Sequence, residues 1–514
     1  MTPLRISSTQ ARLLLFTVCL SSAVSLVFEL MVVTQATYLV GDATLATGVV
    51  VGTFLAAMGL GGWVSQFLAT GSDPSRSLLR TLLWVELVLS PVCLLGPLGL
   101  FALFAIDGSV WLAVVLLTVM AGALAGMELP LLTRLLETQQ DLRVALARAL
   151  ALDYLGSLLG ALVFPLVLLP QLGLLPTSAL LGLLPLASGV LLCWTFPSLW
   201  RWRWPVSSLL PLMALLGLWV APLGDRVESW LYDDPVIFRQ QSRYQRLVLT
   251  RRRRDVRLYL DGQLQFSSLD EYRYHEGLVH PAMARHGRPG RVLLLGAGDG
   301  LALREILRWP SVQTVDLIEL DPAVLSLARR HPLVQRLHQG SLDDPRLTVH
   351  HGDAFQLLEQ LEGSFDVVIA DFPDPSTPAL ARLYSVGFYG RLQRHVNKGG
   401  VFVTQASTPF FTPDVLASIE ASLQQLSWST RGYSVTVPSF GPWGFVMAQR
   451  DNDVKTPGFA PLPFQGRWIS DRWLAQFPEL PVDLRPDPGA LIRPNRLVQP
   501  VLVDYQRHGR WTGI

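Results

Sequence analysis

Residues 1–222 contain no lysine and no histidine; nine arginines and nine acidic residues are all the charge they hold. The other 292 residues carry the remaining 33 basic and 31 acidic residues and all nine histidines. A bilayer, not water, suits the first stretch. Runs of ~20 apolar residues span the hydrocarbon as helices, because backbone groups there must satisfy one another. Such runs fall near 13–35, 45–69, 79–104, 109–133, 146–170, 174–198 and, shorter, 206–222. Over the chain 50% of residues are hydrophobic and 16% charged, with mean hydropathy +0.35. Soluble domains carry roughly a quarter charged residues, so a wholly soluble, disordered or collagen-like chain is excluded. A net charge of +2 gives no reason to expect a nucleic-acid partner.

The first run is too long for a signal-peptide core and is read as a retained helix. Arg5 and Arg12 precede it. Arg76 and Arg80 follow the second run, Arg134, Arg143 and Arg148 the fourth, and Arg201 and Arg203 the sixth, while the alternate loops hold no Lys or Arg. That is an N-inside pattern through six spans. A seventh crossing would place the second half outside, against the cytosolic substrates argued below. Either 206–222 re-enters or lies at the interface, the span count is off by one, or the domain is external; a cytoplasmic domain is the expectation. Glu29, Glu86, Glu128 and Asp153 lie at or near membrane depth, where carboxylates are costly and often functional. The plainer expectation places them near span ends or paired with Arg134 or Arg148. Gly59, Gly61 and Gly62 are expected to let helices approach closely. The cysteines Cys19, Cys93 and Cys193 all lie in this half, so the second half has neither a disulfide framework nor a Cys metal site.

From Ser242 the pattern shifts to short alternating strands and turns, a small β-hairpin region. Arg251–Arg254 falls at a turn, either a solvated hairpin tip or a contact for anionic headgroups. After a helical segment, "RVLLLGAGDGLALREILRW", "TVDLIELDPAVLSLARRHP", "LTVHHGDAFQLLEQL", "FDVVIADFPDP" and "GGVFVTQASTPFF" alternate strand with helix. This predicts a doubly wound parallel sheet, with ligands at the carboxyl ends of its strands. The expected organisation is a multi-pass α-helical membrane domain over 1–222 and a β-strand region over 223–270. A Rossmann-like α/β domain of the S-adenosylmethionine type follows over 271–450, with an extension over 451–514.

The motifs fall at those strand ends. Gly296-Ala297-Gly298-Asp299-Gly300 is a turn whose glycines admit a ligand; Leu301 stands where a dinucleotide fingerprint has its third glycine. Alone, a glycine turn before a helix is common. Glu319 ends the next strand, where a carboxylate can accept two ribose hydroxyls; Asp321 after it suits a helix cap. Asp353, before Ala354, can accept an adenine amino group or cap a helix. Asp371 and Asp374 stand three residues apart in a loop stiffened by Pro373 and Pro375. Paired anions raise a pKa unless a cation lies between them, which suits a cationic amine that must lose a proton. An isolated pair of this kind is more often a simple turn. Asp299 discriminates: it would repel the carboxylate tail of S-adenosylmethionine and attract the bare amine of the decarboxylated form.

In these stretches the second half resembles the spermidine synthase (polyamine aminopropyltransferase) family. The similarity runs in order through "SRYQ", "LDGQLQFSSLDEYRYHEGLVHPAM", "LLLGAGDG", "IELDP", "GDAF", "DFPDP", "FY", "TQAS" and "VPSFGPWGF". The helical half, with "FELMVVTQATYLVGD" and "GMELPLLTRLL", is similar to that family's bacterial membrane-fused branch. The resemblance implies aminopropyl transfer from decarboxylated S-adenosylmethionine to putrescine, giving spermidine and methylthioadenosine without metal or resident cofactor. It assigns Gln245, Glu319, Asp353 and Ala354 to the nucleoside, with Gly296 and Gly298 in the glycine loop and Pro378 bordering the product. His275 and Asp299 fall at the aminopropyl or amine end, and Tyr274 and Gln405 line the amine site. Asp371 matches the proton acceptor and Asp374 its partner in the gating loop. Three features depart from the family: Phe372-Pro373 between the aspartates, Ser376-Thr377 before Pro378, and Phe440 where a tyrosine is usual. Implied partners are a diamine, the lipid bilayer and no nucleic acid, in the inner membrane, with homo-oligomerisation open. A methyltransferase and a polyamine-sensing or transporting membrane protein stand as alternatives; retention of Asp371 argues for catalysis.

Overall fold

The computed structural model describes residues 6–41, 43–68, 74–106, 108–137, 141–450 and 458–510; Arg5 lies outside them. It divides into two compact units, Met1–Val236 and Ile237–Ile514.

The first unit holds seven helices long and apolar enough to cross a membrane. They are α1 (Ser8–Val40), α2 (Ala43–Ser65), α3 (Pro74–Ala105), α4 (Val110–Glu137), α5 (Leu142–Val163, extended through a π turn into α6, Leu169–Leu172), α7 (Leu174–Thr195) and α8 (Arg203–Ser229). Small residues set the closest helix approaches. A methyl group added at Gly61 would lie 2.0 Å from the Ala123 carbonyl oxygen, and one at Gly156 2.0 Å from that of Cys19. Only Gly at these positions lets α2 meet α4, and α5 meet α1, backbone to backbone. Of the expected packing glycines, Gly61 does this closely and Gly62 loosely, facing Gly126, whereas Gly59 has nothing within 4 Å. On a helix, neighbours in sequence face different directions, and Gly59 is turned away from α4.

The short segment expected at 206–222 is part of a longer helix. Pro222 does not end α8, which runs back along α7 from Ser207 to Gly224. Trp194 meets Ser207, Ala179 faces Gly217 and Leu175 faces Gly224. By length and composition this helix too is long enough to cross a membrane.

Among the described residues, Arg134 donates to the Ser65 and Leu68 carbonyls and pairs with none of Glu29, Glu86, Glu128 or Asp153. Glu86 accepts from Ser188 at 2.7 Å, Asp153 accepts from Ser22, and neither Glu128 oxygen has a hydrogen-bond partner among the described residues.

The second unit opens with a four-stranded sheet, β1 (Val236–Gln241), β2 (Arg246–Arg252), β3 (Asp255–Leu260) and β4 (Gln263–Ser267), paired in sequence order. Arg253 and Arg254 form the exposed β2–β3 turn. Helix α9 (Glu271–His286) leads into a seven-stranded sheet of order β10-β11-β9-β8-β5-β6-β7. Its parallel strands are β5 (Arg291–Gly296), β6 (Thr314–Glu319), β7 (Leu347–His351), β8 (Phe365–Asp371) and β9 (Val396–Gln405). Helices α10 (Leu301–Leu307), α11 (Pro322–Arg330), α12 (Pro332–His338), α13 (Ala354–Leu357), α14 (Pro378–Ala381) and α15 (Val386–Leu392) fall between them. After α16 (Pro413–Gln424), β10 (Trp428–Val437) and β11 (Gly441–Arg450) add an antiparallel hairpin. The sheet is therefore mixed, not wholly parallel. The three-residue link between β10 and β11 is too short for the crossover that a parallel pair requires. Helices α17 (Asp471–Ala475) and α18 (Val501–Arg507) lie in the C-terminal segment.

Alternation along the central strands explains the layers. Leu294, Val367 and Ile369 pack into one core with α9, α10 and α11; Leu293, Leu295, Val368 and Ala370 pack into another with α15, α16 and α18. Strand order reverses at β5, between β6 and β8, which opens a crevice at the carboxyl ends. The register there sets Gly296 beside Asp371 and Glu319 beside His351.

Candidate active site

The glycine loop and Glu319 form one unit. Glu319 accepts from the Gly298 N–H at 3.0 Å and from the Asp321 N–H at 2.9 Å. A Cβ at Gly298 would stand 2.7 Å from the Glu319 carboxylate, and one at Gly296, whose φ is +76°, 2.2 Å from the Asp371 carbonyl oxygen. Both glycines are required by close approach, not by flexibility. Burial pushes the Glu319 carboxyl up to about 7, against the pull of those two N–H donors. Asp321 caps α11 through the Ala323 N–H and accepts from Ser242 Oγ (2.7 Å) and Gln245 Nε2 (3.0 Å). Gln245 is thereby carried from the hairpin region to the Glu319 strand end.

Asp371 ends β8. The Tyr274 hydroxyl donates to its Oδ1 at 2.5 Å. Burial pushes the Asp371 carboxyl up to about 6, opposed by the His275 charge and the Tyr274 hydrogen bond and reinforced by Asp299. Burial, with the Asp371 charge and hydrogen bond, holds Tyr274 well above its usual range, so it stays a donor. His275 points Nδ1 at the Glu271 carbonyl (2.7 Å) and Oε2 (2.9 Å), two acceptors that require a proton on that nitrogen. Burial lowers its pKa, but Glu271, Asp299 and Asp371 outweigh this and hold it above the ordinary value. Glu271 is fixed in turn by both terminal nitrogens of Arg304, at 3.0 and 2.9 Å. Asp299 keeps one oxygen on the Leu301 N–H at 2.9 Å, at the start of α10.

Asp374 lies in the loop after β8. Gln405 Nε2 meets its Oδ1 at 3.3 Å; Ser407 Oγ and Gln506 Nε2 meet its Oδ2 at 3.2 and 3.4 Å. Burial pushes it up to about 6 against these neutral donors. Gln405 also donates to the Phe372 carbonyl (2.8 Å) and to the Tyr384 hydroxyl (2.6 Å), and the latter donates to the Phe372 and Pro373 carbonyls. Gln405 thus holds the loop from beneath as well as facing Asp374.

Asp353 caps α13 through the Phe355 N–H and turns its second oxygen to Arg382 Nη2 at 2.6 Å. Ala354 is the first residue of that helix, and Pro378 opens α14 behind the Thr377 cap. Around Tyr274 stand Phe440, Trp443 and Phe445, with ring centres 6.1, 6.2 and 5.3 Å away.

Comparison with known proteins gives the same assignment. The spermine/spermidine synthase domain model matches residues 271–456. A polyamine aminopropyltransferase of Ralstonia nicotianae is 38% identical over 521 residues, covering 98% of each chain. One from Leptospira interrogans is 36% identical over 501 residues, 96% of this chain and 97% of its own. The chain belongs to the polyamine aminopropyltransferase family. It is a transferase enzyme, and aminopropyl transfer is its general chemistry. A solved spermidine synthase in complex with the transition state analogue AdoDATO is 26% identical, with a TM-score of 0.43, covering 48% of this chain and 86% of its own.

Several residues of this aminopropyltransferase escape motif reading. Glu271 and Arg304 orient His275, and Tyr384 and Ser407 hold the aspartate loop; Glu271 and Ser407 lie inside matching stretches without being singled out there, and Arg304 and Tyr384 lie outside them. The quoted "FY" is Phe388-Tyr389, buried in the core, whereas the tyrosine touching the loop is Tyr384, four residues before Phe388. Glu276, His280 and Glu305 cluster closely enough to hold a metal ion, but their atoms are already engaged. Glu276 takes the N–H groups of Arg467, Trp468 and Ile469; Glu305 takes Arg304, Arg308 and His280; His280 Nδ1 accepts from Trp309. The trio ties the segment beyond residue 458 to the transferase fold.

Proposed function

We propose that this aminopropyltransferase moves the aminopropyl group of decarboxylated S-adenosylmethionine to putrescine, releasing spermidine and methylthioadenosine. The observation that carries the reading is Asp371. It is a carboxylate at the switch-point strand end, beside the glycine loop, raised to about 6 and fixed by Tyr274. A base of that pKa is largely ionised at pH 7 yet accepts a proton readily. In the proposed mechanism Asp371 takes a proton from the attacking ammonium and frees its lone pair. The amine nitrogen then attacks the propyl carbon on the sulfonium as the C–S bond breaks, and methylthioadenosine leaves. Asp374 receives the distal ammonium. Glu319 takes the ribose hydroxyls, with Gln245, Asp353, Ala354 and Pro378 around the nucleoside. Asp299 faces the amine end of the donor, and His275 and Tyr274 steer Asp371. Reach of Asp353 for adenine requires the Arg382 contact to shift or be shared. Holding donor and amine in line supplies most of the rate, and no metal takes part.

The helical half anchors the enzyme in the inner membrane, with the α/β half on the cytoplasmic side where the donor is made. Seven crossings then leave the Arg12 end outside and reverse the usual arginine bias. Two C-terminal reporters, one active only in the cytoplasm and one active only in the periplasm, test this placement; activity of the periplasmic reporter alone reverses it.

The activity is tested with purified full-length protein, decarboxylated S-adenosylmethionine and a panel of amines. Mass spectrometry should find methylthioadenosine and an aminopropylated putrescine, both absent in Asp371→Asn. Turnover undiminished in that variant would remove Asp371 from the mechanism. A preferred amine other than putrescine would correct the acceptor.

A further inference from the structure

We infer that Gln506, on the C-terminal helix α18, is a positioning residue for the amine subsite, orienting Asp374 toward the distal ammonium. This rests on the amine-binding reading of Asp374. Gln506 lies beyond the matched family domain, 132 residues from Asp374 in sequence, yet its Nε2 stands 3.4 Å from Oδ2.

The contact is built into the fold. Val501, Leu502 and Val503 are buried with Ala381, Tyr384 and Phe388. Just before α18, the fully buried Asn495 donates to the Ala381 carbonyl at 2.7 Å, gives its N–H to Ser422 and accepts from the Val386 N–H. Just after α18, the Arg510 N–H reaches the Phe411 carbonyl at 2.6 Å. Helix α18 is thus clamped on both sides to segments that follow the aspartate loop.

All three donors to Asp374 are shared; Gln506 Nε2 stands 3.4 Å from Ser407 Oγ as well as from Asp374, so the three side chains form one hydrogen-bonded set. Gln405 Nε2 lies closer to the Tyr384 hydroxyl and the Phe372 carbonyl than to Asp374, and Ser407 Oγ also receives Thr412 at 3.3 Å. Gln506 adds a third donor from outside the sheet. An amide suits this task because it aims a carboxylate without cancelling its charge. A lysine or arginine there would compete with the substrate ammonium.

Steady-state kinetics on the full chain test this with Gln506→Ala and Gln506→Met; methionine keeps length and bulk but has no donor. In both variants the amine KM should rise about three- to tenfold, the scale of one ordinary hydrogen bond. The donor KM, kcat and melting temperature should stay as in the wild type. An unchanged amine KM in Gln506→Met, or amine and donor KM rising together, overturns the positioning role while leaving the activity intact. A wild-type enzyme that releases no methylthioadenosine with any amine overturns the activity and this inference together.

Discussion

Glu128 in the helical half and Glu305 in the α/β half are each 2% exposed. Neither oxygen of Glu128 meets a donor among the described residues, whereas Glu305 accepts from Arg304, Arg308 and His280. The difference follows from what holds each half together. Helices in the bundle meet through glycine and other small residues, so a polar group there is an addition to packing that stands without it. Around the site, arginine, histidine and carboxylate groups are the packing. Removing one leaves buried partners uncompensated. Directed donors also make the site carboxylates usable: Asp371, Asp374 and Glu319 all keep fixed orientations while burial raises their affinity for a proton.

The contrast can be broken by substitution. Asp371→Asn should have the largest effect, lowering kcat/KM by about 10²–10⁴, followed by methylthioadenosine release. The asparagine oxygen can still accept from Tyr274, so circular dichroism should be unchanged. Next, Glu305→Gln should destabilise the α/β half by about 1.5–3 kcal/mol, the scale of a hydrogen bond to a charged group, because Arg304 and Arg308 lose one carboxylate each while keeping Glu271 and Glu276; the melting temperature of the full chain checks this.

A pH series gives a smaller effect with a definite sign. Asp371 must be ionised to act, so kcat/KM should fall roughly tenfold per unit as pH drops below about 6. Stability should move the other way. A carboxyl raised in the fold takes up a proton between its unfolded value near 4 and about 6, so the fold gains stability as pH falls through that window. Flat activity between pH 7 and 5 would remove Asp371 as the base. The smallest effect belongs to Glu128→Gln, which should leave turnover and melting temperature unchanged, since no described donor is lost. A large drop in either would show that the bundle depends on this carboxylate after all.

Much of the site was legible because it sits at strand ends. Gly296, Glu319, Asp353 and Asp371 each close or follow a strand of the alternating pattern, and parallel register brings those ends to one edge. Less legible were the groups that orient them. Glu271 and Arg304 reach His275 from α9 and α10, and Tyr384 reaches the aspartate loop from a short turn of helix. The closing hairpin of the sheet also escaped, because strand patterning does not state direction; the short β10–β11 link does. In the helical half, hydropathy located the runs but misjudged the last one. Pro222 interrupts the pattern without ending α8, which packs on α7 from Ser207 to Gly224, past the proline.

What the sequence by itself determined is the division of the chain between two solvents and the order of strands and helices in the second half. It also placed the carboxylates and glycines at the strand ends. These are local properties: apolar run length, periodicity and turn chemistry are all written within a few residues of one another. Tertiary structure alone decided that Gly61 and not Gly59 meets α4, that Gly298 makes room for Glu319, and that Gln506 arrives at Asp374 across 132 residues of chain. Such contacts depend on where packing brings separate elements, and no spacing along the chain encodes that distance.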